Sequence, residues 1–129
     1  MELDELKQIL PEQDAEYLAS KCAKFEVIKN ASDVHVIFQD YAFPEAYQTQ
    51  QSNLLIVIPA GYPNAKLDMF WTCPDVKLAT GKWPTSSEVH QDFHGKNWQR
   101  WSRHINWRSG VDSLRTFVTS VQREIARGI

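Results

Sequence analysis

Two cysteines in 129 residues, Cys22 and Cys73, are too few for a disulfide framework. A chain of this length can bury roughly two-thirds of its unfolded surface and needs no such staples. Five Gly and six Pro leave no room for a low-complexity stretch. The longest apolar run, Leu54 to Pro59, falls far short of the ~20 residues that cross a bilayer, so a membrane span is excluded. No Gly-x-Ser-x-Gly elbow and no Gly-rich phosphate loop is present, which leaves hydrolase and nucleotide-binding readings without support. The opening residues, Met1 to Leu6, lack the basic start and apolar core of a secretory signal, and a cytoplasmic protein is expected.

What is present fits one globular domain: 43% of residues are hydrophobic and 23% charged. The expected domain is residues 1–129, with 1–10 as an N-terminal extension. The net charge of -2 hides an asymmetry. Residues 1–75 carry 12 acids against 5 Lys/Arg, whereas residues 76–129 carry 4 acids against 9 Lys/Arg. One cationic face follows, able to steer an acidic partner by its field.

Pro11 with Glu12, Asp14 and Glu16 reads as a first helical turn, and Ala15, Leu18, Ala19 and Cys22 share one face of the helix that follows. Phe25 to Lys29 and Val34 to Phe38 flank the turn formers Asn30-Ala31-Ser32-Asp33 and predict a hairpin. Leu54 to Ile58 and Leu67 to Thr72 predict two more strands. Short connections favour an antiparallel meander of four. Thr85-Ser86-Ser87-Glu88 reads as a capping box that opens a short helix carrying Val89 and Phe93. Leu114, Phe117, Val118, Val121 and Ile125 form the stripe of a last helix from about Val111 to Arg127. The expected fold is α+β: an N-terminal helix, a four-stranded meander, a long irregular segment and C-terminal helices.

Three features could carry chemistry. Trp98, Trp101 and Trp107 are interleaved with Lys96, Arg100, Arg103, His104 and Arg108, and no acid occurs between Phe93 and Val111. Either the indoles fill the gap between sheet and last helix with the arginine heads in water, or the block binds a partner's carboxylate tail or stacked bases. A sequence pI near 6.1 argues against nucleic acid. His90 and His94, four apart on the expected short helix, could share a metal with Cys73 or His104, although no Glu stands between them as in a metalloprotease. Cys73, at the end of the fourth expected strand, is either a small buried residue or a nucleophile activated by Arg100, Arg103 or His104.

Ile58-Pro59-Ala60-Gly61-Tyr62-Pro63, leading into Leu67-Asp68-Met69-Phe70-Trp71-Thr72 and a Pro, resembles the Tyr-Pro turn between the third and fourth strands of the ubiquitin-conjugating enzyme (UBC) fold. With Trp98-Gln99-Arg100-Trp101-Ser102-Arg103-His104 and Trp107-Arg108-x-Gly110-x-Asp112, the chain is similar to the prokaryotic UBC-like group called family E, over about Leu10 to Arg127. The resemblance implies a role in bacterial ubiquitin-like modification, with no cofactor. The implied partners are a ubiquitin-like or multi-ubiquitin-like protein, an adenylating activating enzyme and sometimes a JAB-type metallopeptidase. In the wider fold a cysteine on the loop after the fourth strand carries the modifier as a thioester, and a His-Pro-Asn shapes that loop. Here Thr72-Cys73-Pro74-Asp75 keeps only the Pro, and Lys77 to Ser87 contains no cysteine.

Two functions are compatible with this pattern. In the first, Cys73 is a relocated thioester nucleophile, His104 accepts a proton, and Trp98, Arg100, Trp101, Arg103, Trp107 and Arg108 hold the modifier. In the second, the chain is a non-catalytic module that docks a ubiquitin-like protein or an activating enzyme. The first requires the Cys73 thiol to be open to solvent beside Arg100, Arg103 and His104; otherwise the docking role remains.

Overall fold

The computed structural model describes residues 1–21 and 24–127; Cys22, expected on the apolar face of the first helix, lies outside the described residues. Two short helices open the chain, α1 (Leu3–Ile9) and α2 (Glu12–Ser20). The expected N-terminal extension is therefore helical. Its Leu6 is fully buried and Leu10 nearly so, because Leu3, Leu6 and Leu10 fall on one face at three- and four-residue spacing.

Six strands follow: β1 (Phe25–Lys29), β2 (Asp33–Ala42), β3 (Gln51–Pro59), β4 (Phe70–Thr72), β5 (Val89–Phe93) and β6 (Lys96–Trp101). They form one antiparallel sheet in the order β1-β2-β3-β4-β6-β5. A four-stranded sheet is thus too small a description, since a C-terminal hairpin extends it past β4. The last helix, α3 (Leu114–Arg127), starts three residues later than its stripe suggested. Residues 108–112 form their own turn, in which Asp112 accepts the Arg108 N–H at 2.7 Å.

The added hairpin corrects the reading of residues 85–94. Ser87 is buried and donates to the Pro84 carbonyl, and Ser86 has a φ of 53°, so Thr85 to Glu88 forms a turn and caps no helix. Val89, Gln91 and Phe93 alternate as a strand does, and His94-Gly95 closes the hairpin with both residues at positive φ. His90 and His94 therefore do not share a helix face.

Side chains alternate between the two faces of the sheet. Val36, Phe38, Leu54, Ile56, Phe70 and Trp101 point inward to the three helices and form the main core. Ile37, Leu55, Trp71 and Trp98 form a second cluster on the outer face, joined by Phe93 from the hairpin. There the hairpin tip reaches β2: His94 Nε2 lies 2.8 Å from Nδ1 of the buried His35, whose Nε2 is 3.4 Å from the Asp33 carboxylate.

The helix side is tied down by one polar node. The Tyr62 hydroxyl accepts the N–H of Leu114, the first residue of α3, at 2.8 Å and donates to the buried Asp14 on α2. The same N–H also reaches Asp14 Oδ1 at 3.4 Å, so this helix-terminal donor is shared between the two side chains. Next to it, Trp107 Nε1 donates to the Pro63 carbonyl at 2.8 Å and Ser109 Oγ to the Asn64 side chain at 2.8 Å.

Tyr62→Phe leaves the Leu114 N–H with only its longer bond to Asp14 and takes a donor from Asp14, and costs about 1–2 kcal/mol in chemical denaturation. Burial holds the Asp14 carboxyl above its ordinary 3.8, so stability associated with it is present below pH 3.8 and lost as pH rises through the folded value. Asp14→Asn still accepts from Tyr62 and should match or exceed the parent at neutral pH. His35 runs the other way: burial first, opposed by Asp33, lowers it from 6.5. The unfolded chain then binds more protons, so stability is full above pH 6.5 and falls as pH drops toward the folded value. Denaturation at about pH 7.5 and about pH 5.5 should show this loss, and His35→Gln should shrink it.

Candidate functional site

Cys73 is the first residue after β4, and its backbone is fixed from both sides. Its N–H donates to Ser52 Oγ at 3.0 Å, and Gln99 grips Val76 three residues on, accepting its N–H at 2.7 Å and donating to its carbonyl at 3.0 Å. Gln99 is fully buried and does the work of a missing strand pairing for the start of the long segment. Sequence reasoning gave Ser52 and Gln99 no role. A lone Gln between Trp98 and Trp101 is the available signal for the second.

Cys73 is half-buried and lines an open cleft of about 330 Å³ with Asn53, Pro74, Lys96, Asn97 and Trp98. Trp98 belongs to the outer cluster, so this cleft opens on the sheet face away from the helices. Its one cation is Lys96. Arg100, Arg103 and His104 do not line it.

Those residues are distributed elsewhere. Arg100 pairs in register with Trp71 and Val89. Arg103 is buried on the helix side, where its Nε lies 3.2 Å from Glu124 of α3 and its Nη1 donates to the Thr85 carbonyl at 2.6 Å. Its guanidinium also covers the Trp101 ring, 5.4 Å from the centroid. The expectation of arginine heads in water fails for this residue. Removing one partner of a buried ion pair is costly, so Arg103 reads as a tie between the strand end and α3.

The three indoles also part company. Trp101 is fully buried, stacks on Phe70 at 5.1 Å and donates to Thr72 Oγ1 at 3.0 Å. Trp98 packs on the outer face and donates to the Phe93 carbonyl, while half-buried Trp107 leans on Tyr62. No continuous aromatic platform for bases results. His90 lies 3.8 Å from Asp75 and edge-on to Trp83, and His94 engages His35. Among the described residues no group of three or more His, Cys, Asp or Glu could hold a metal.

His104 is exposed and lines two adjoining clefts against α3. One, of about 840 Å³, contains Arg108, Arg115, Arg123 and Arg127 with Thr116, Thr119, Ser120, Asp112 and Glu124. The other, of about 290 Å³, adds Arg103, Thr85 and Ser86 and shares His104, Glu124 and Arg127. Thr116, Ser120, Arg123 and Arg127 recur at three- and four-residue spacing, the polar counterpart of the buried stripe of α3. Hydrogen bonding to the Arg108 N–H holds the Asp112 carboxyl below its ordinary range, so this acid stays ionised and bound within the turn.

The chain thus has a thiol cleft on one face of its sheet and an arginine groove on the other. The first offers a lone thiol, two amides and a lysine; the second offers several guanidinium groups, hydroxyls and an imidazole. No helix among the described residues is long and apolar enough to cross a membrane. No curated protein and no solved structure matches the chain. The model of prokaryotic E2 family E matches residues 10–128, which spans the Tyr62-Pro63 turn, both clefts and α3. The chain therefore belongs to prokaryotic E2 family E, a membership that suggests a role in a bacterial ubiquitin-like modification system.

Proposed function

We propose that the chain acts in bacterial ubiquitin-like modification as an E2-like docking module, positioning a ubiquitin-like or multi-ubiquitin-like protein or its adenylating activating enzyme without carrying the modifier itself. One observation carries this reading: Cys73 opens on the outer face, whereas Arg103 and His104 lie on the helix side. A thioester nucleophile works as the thiolate, commonly favoured by an adjacent cation or imidazole, and Lys96 is the one cation that lines the Cys73 cleft. His104 has no part in proton transfer there.

A second reading keeps one specific support. Cys73 is the first residue after the fourth strand and half-exposed in an open cleft, with Asn53 and Asn97 offering amide donors. A thioester formed there would be held by these amides and approached past Lys96, with the arginine groove taking no part.

The two readings separate in one reaction. The protein is mixed with an activating enzyme, ATP and a ubiquitin-like protein from the same system and resolved with and without reducing agent. The docking reading predicts no thiol-reducible adduct and undiminished capture of a partner by Cys73→Ser. A reducible adduct that survives Cys22→Ser and vanishes in Cys73→Ser would establish the carrier reading instead.

A further inference from the structure

All six arginines of the chain lie between Arg100 and Arg127, and five of them line the two adjoining clefts against α3. The eight lysines are spread from Lys7 to Lys96 and none lines that groove. Guanidinium groups suit paired recognition of carboxylates, which lysine does not reproduce. Three of the five are already engaged: Arg103 with Glu124, Arg127 with the same Glu124 and Arg108 with Asp112. Arg115 and Arg123 are exposed and make no ion pair among the described residues.

We propose that this groove is the contact surface for an acidic peptide segment of a protein partner. The proposal deepens the docking reading and rests on it for the occupant being a protein. Thr116 to Arg127 spans about 17 Å along α3 at ~1.5 Å per residue, room for an extended segment of about five residues at ~3.3 Å each. Hydroxyls of Thr116, Thr119 and Ser120 also line the groove; each already donates within α3 or to the turn before it, so their oxygens are left to accept from the backbone N–H groups of such a segment. A protein fits better than a nucleic acid for two reasons. Asp112 and Glu124 stand inside the groove and would repel a continuous phosphate backbone, and no tryptophan lines it to stack bases. Discrete acidic side chains can be spaced to avoid the two resident carboxylates.

The test titrates the full chain with fluorescein-labelled hexaglutamate, hexaglutamine and a single-stranded oligothymidylate, following anisotropy. Hexaglutamate should bind, more weakly as salt rises, and hexaglutamine should not. Arg115→Ala/Arg123→Ala, both exposed positions, should keep its circular dichroism and melting point and bind hexaglutamate about tenfold more weakly or worse. Unchanged hexaglutamate affinity in that variant overturns the proposal. So does oligothymidylate binding that is tighter than hexaglutamate and lost through the same two substitutions. In a parallel capture assay, an activating enzyme or ubiquitin-like protein should be held by the parent and released by the variant. Equal capture by both would overturn the groove as the docking surface and leave the docking role intact. If the parent captures neither yet binds hexaglutamate through the arginines, the docking role falls and the acidic-segment site stands.

Discussion

The hydroxyl of Tyr62 is the contact on which the functional geometry depends. It accepts the first N–H of α3 and donates to the buried carboxylate of Asp14, so one oxygen joins α2, the turn after β3 and the start of the last helix. The neighbouring bonds from Trp107 to Pro63 and from Ser109 to Asn64 hold the segment that carries His104 and Arg108 against the same turn. Burying an ionised Asp14 costs stability, and the node returns it as orientation: the polar stripe of α3 is fixed relative to the strand end. The Gly61-Tyr62-Pro63 motif is in this light a positioning device for the groove, remote from Cys73. Gly61 takes a φ of 88°, which a side chain there would resist.

The sheet then acts as a partition. Because strand side chains alternate, Trp71 and Trp98 go to the outer face and Phe70 and Trp101 to the inner, although Phe70 adjoins Trp71 and Trp98 lies close to Trp101 in sequence. Cys73 follows the outer set and the Arg103-His104 pair follows the inner one. A constellation that looks compact in the chain is split by the pleat into two sites with different chemistry. Arg103 completes the division, since its pairing with Glu124 and Thr85 closes the strand end onto α3 and commits its charge to structure.

This explains what could be read from the chain and what could not. The apolar stripe of α3 and strands β1 to β3 were legible because their periodicity is long and their flanking turns carry Asn, Asp, Gly and Pro. The hairpin of β5 and β6 was hidden. Val89 and Phe93 suit a helical spacing as well as an alternating one, and a Ser-rich turn imitates a helix cap; only His94-Gly95 marked a two-residue hairpin. The segment of α1 reads as an extension because it is short and outside the resemblance, yet Leu6 seals the core. Grouping the tryptophan and arginine block by proximity in sequence puts side chains together that a strand must separate. Arg115 and Arg123, exposed in the groove, carry no signal in the chain because they sit on the polar side of a helix, where charged residues are ordinary.

The central claim is that the working surface lies on the helix side of the sheet and that Cys73 takes no part in it. Amide chemical-shift mapping of the isotope-labelled chain, titrated with an activating enzyme or a ubiquitin-like protein of the same system, tests it most directly. The account predicts that the shifted amides cluster at residues 103–108 and along the polar stripe of α3, with Asn53, Cys73 and residues 96–98 unmoved. Shifts centred on Asn53, Cys73 and residues 96–98, with α3 silent, would contradict it.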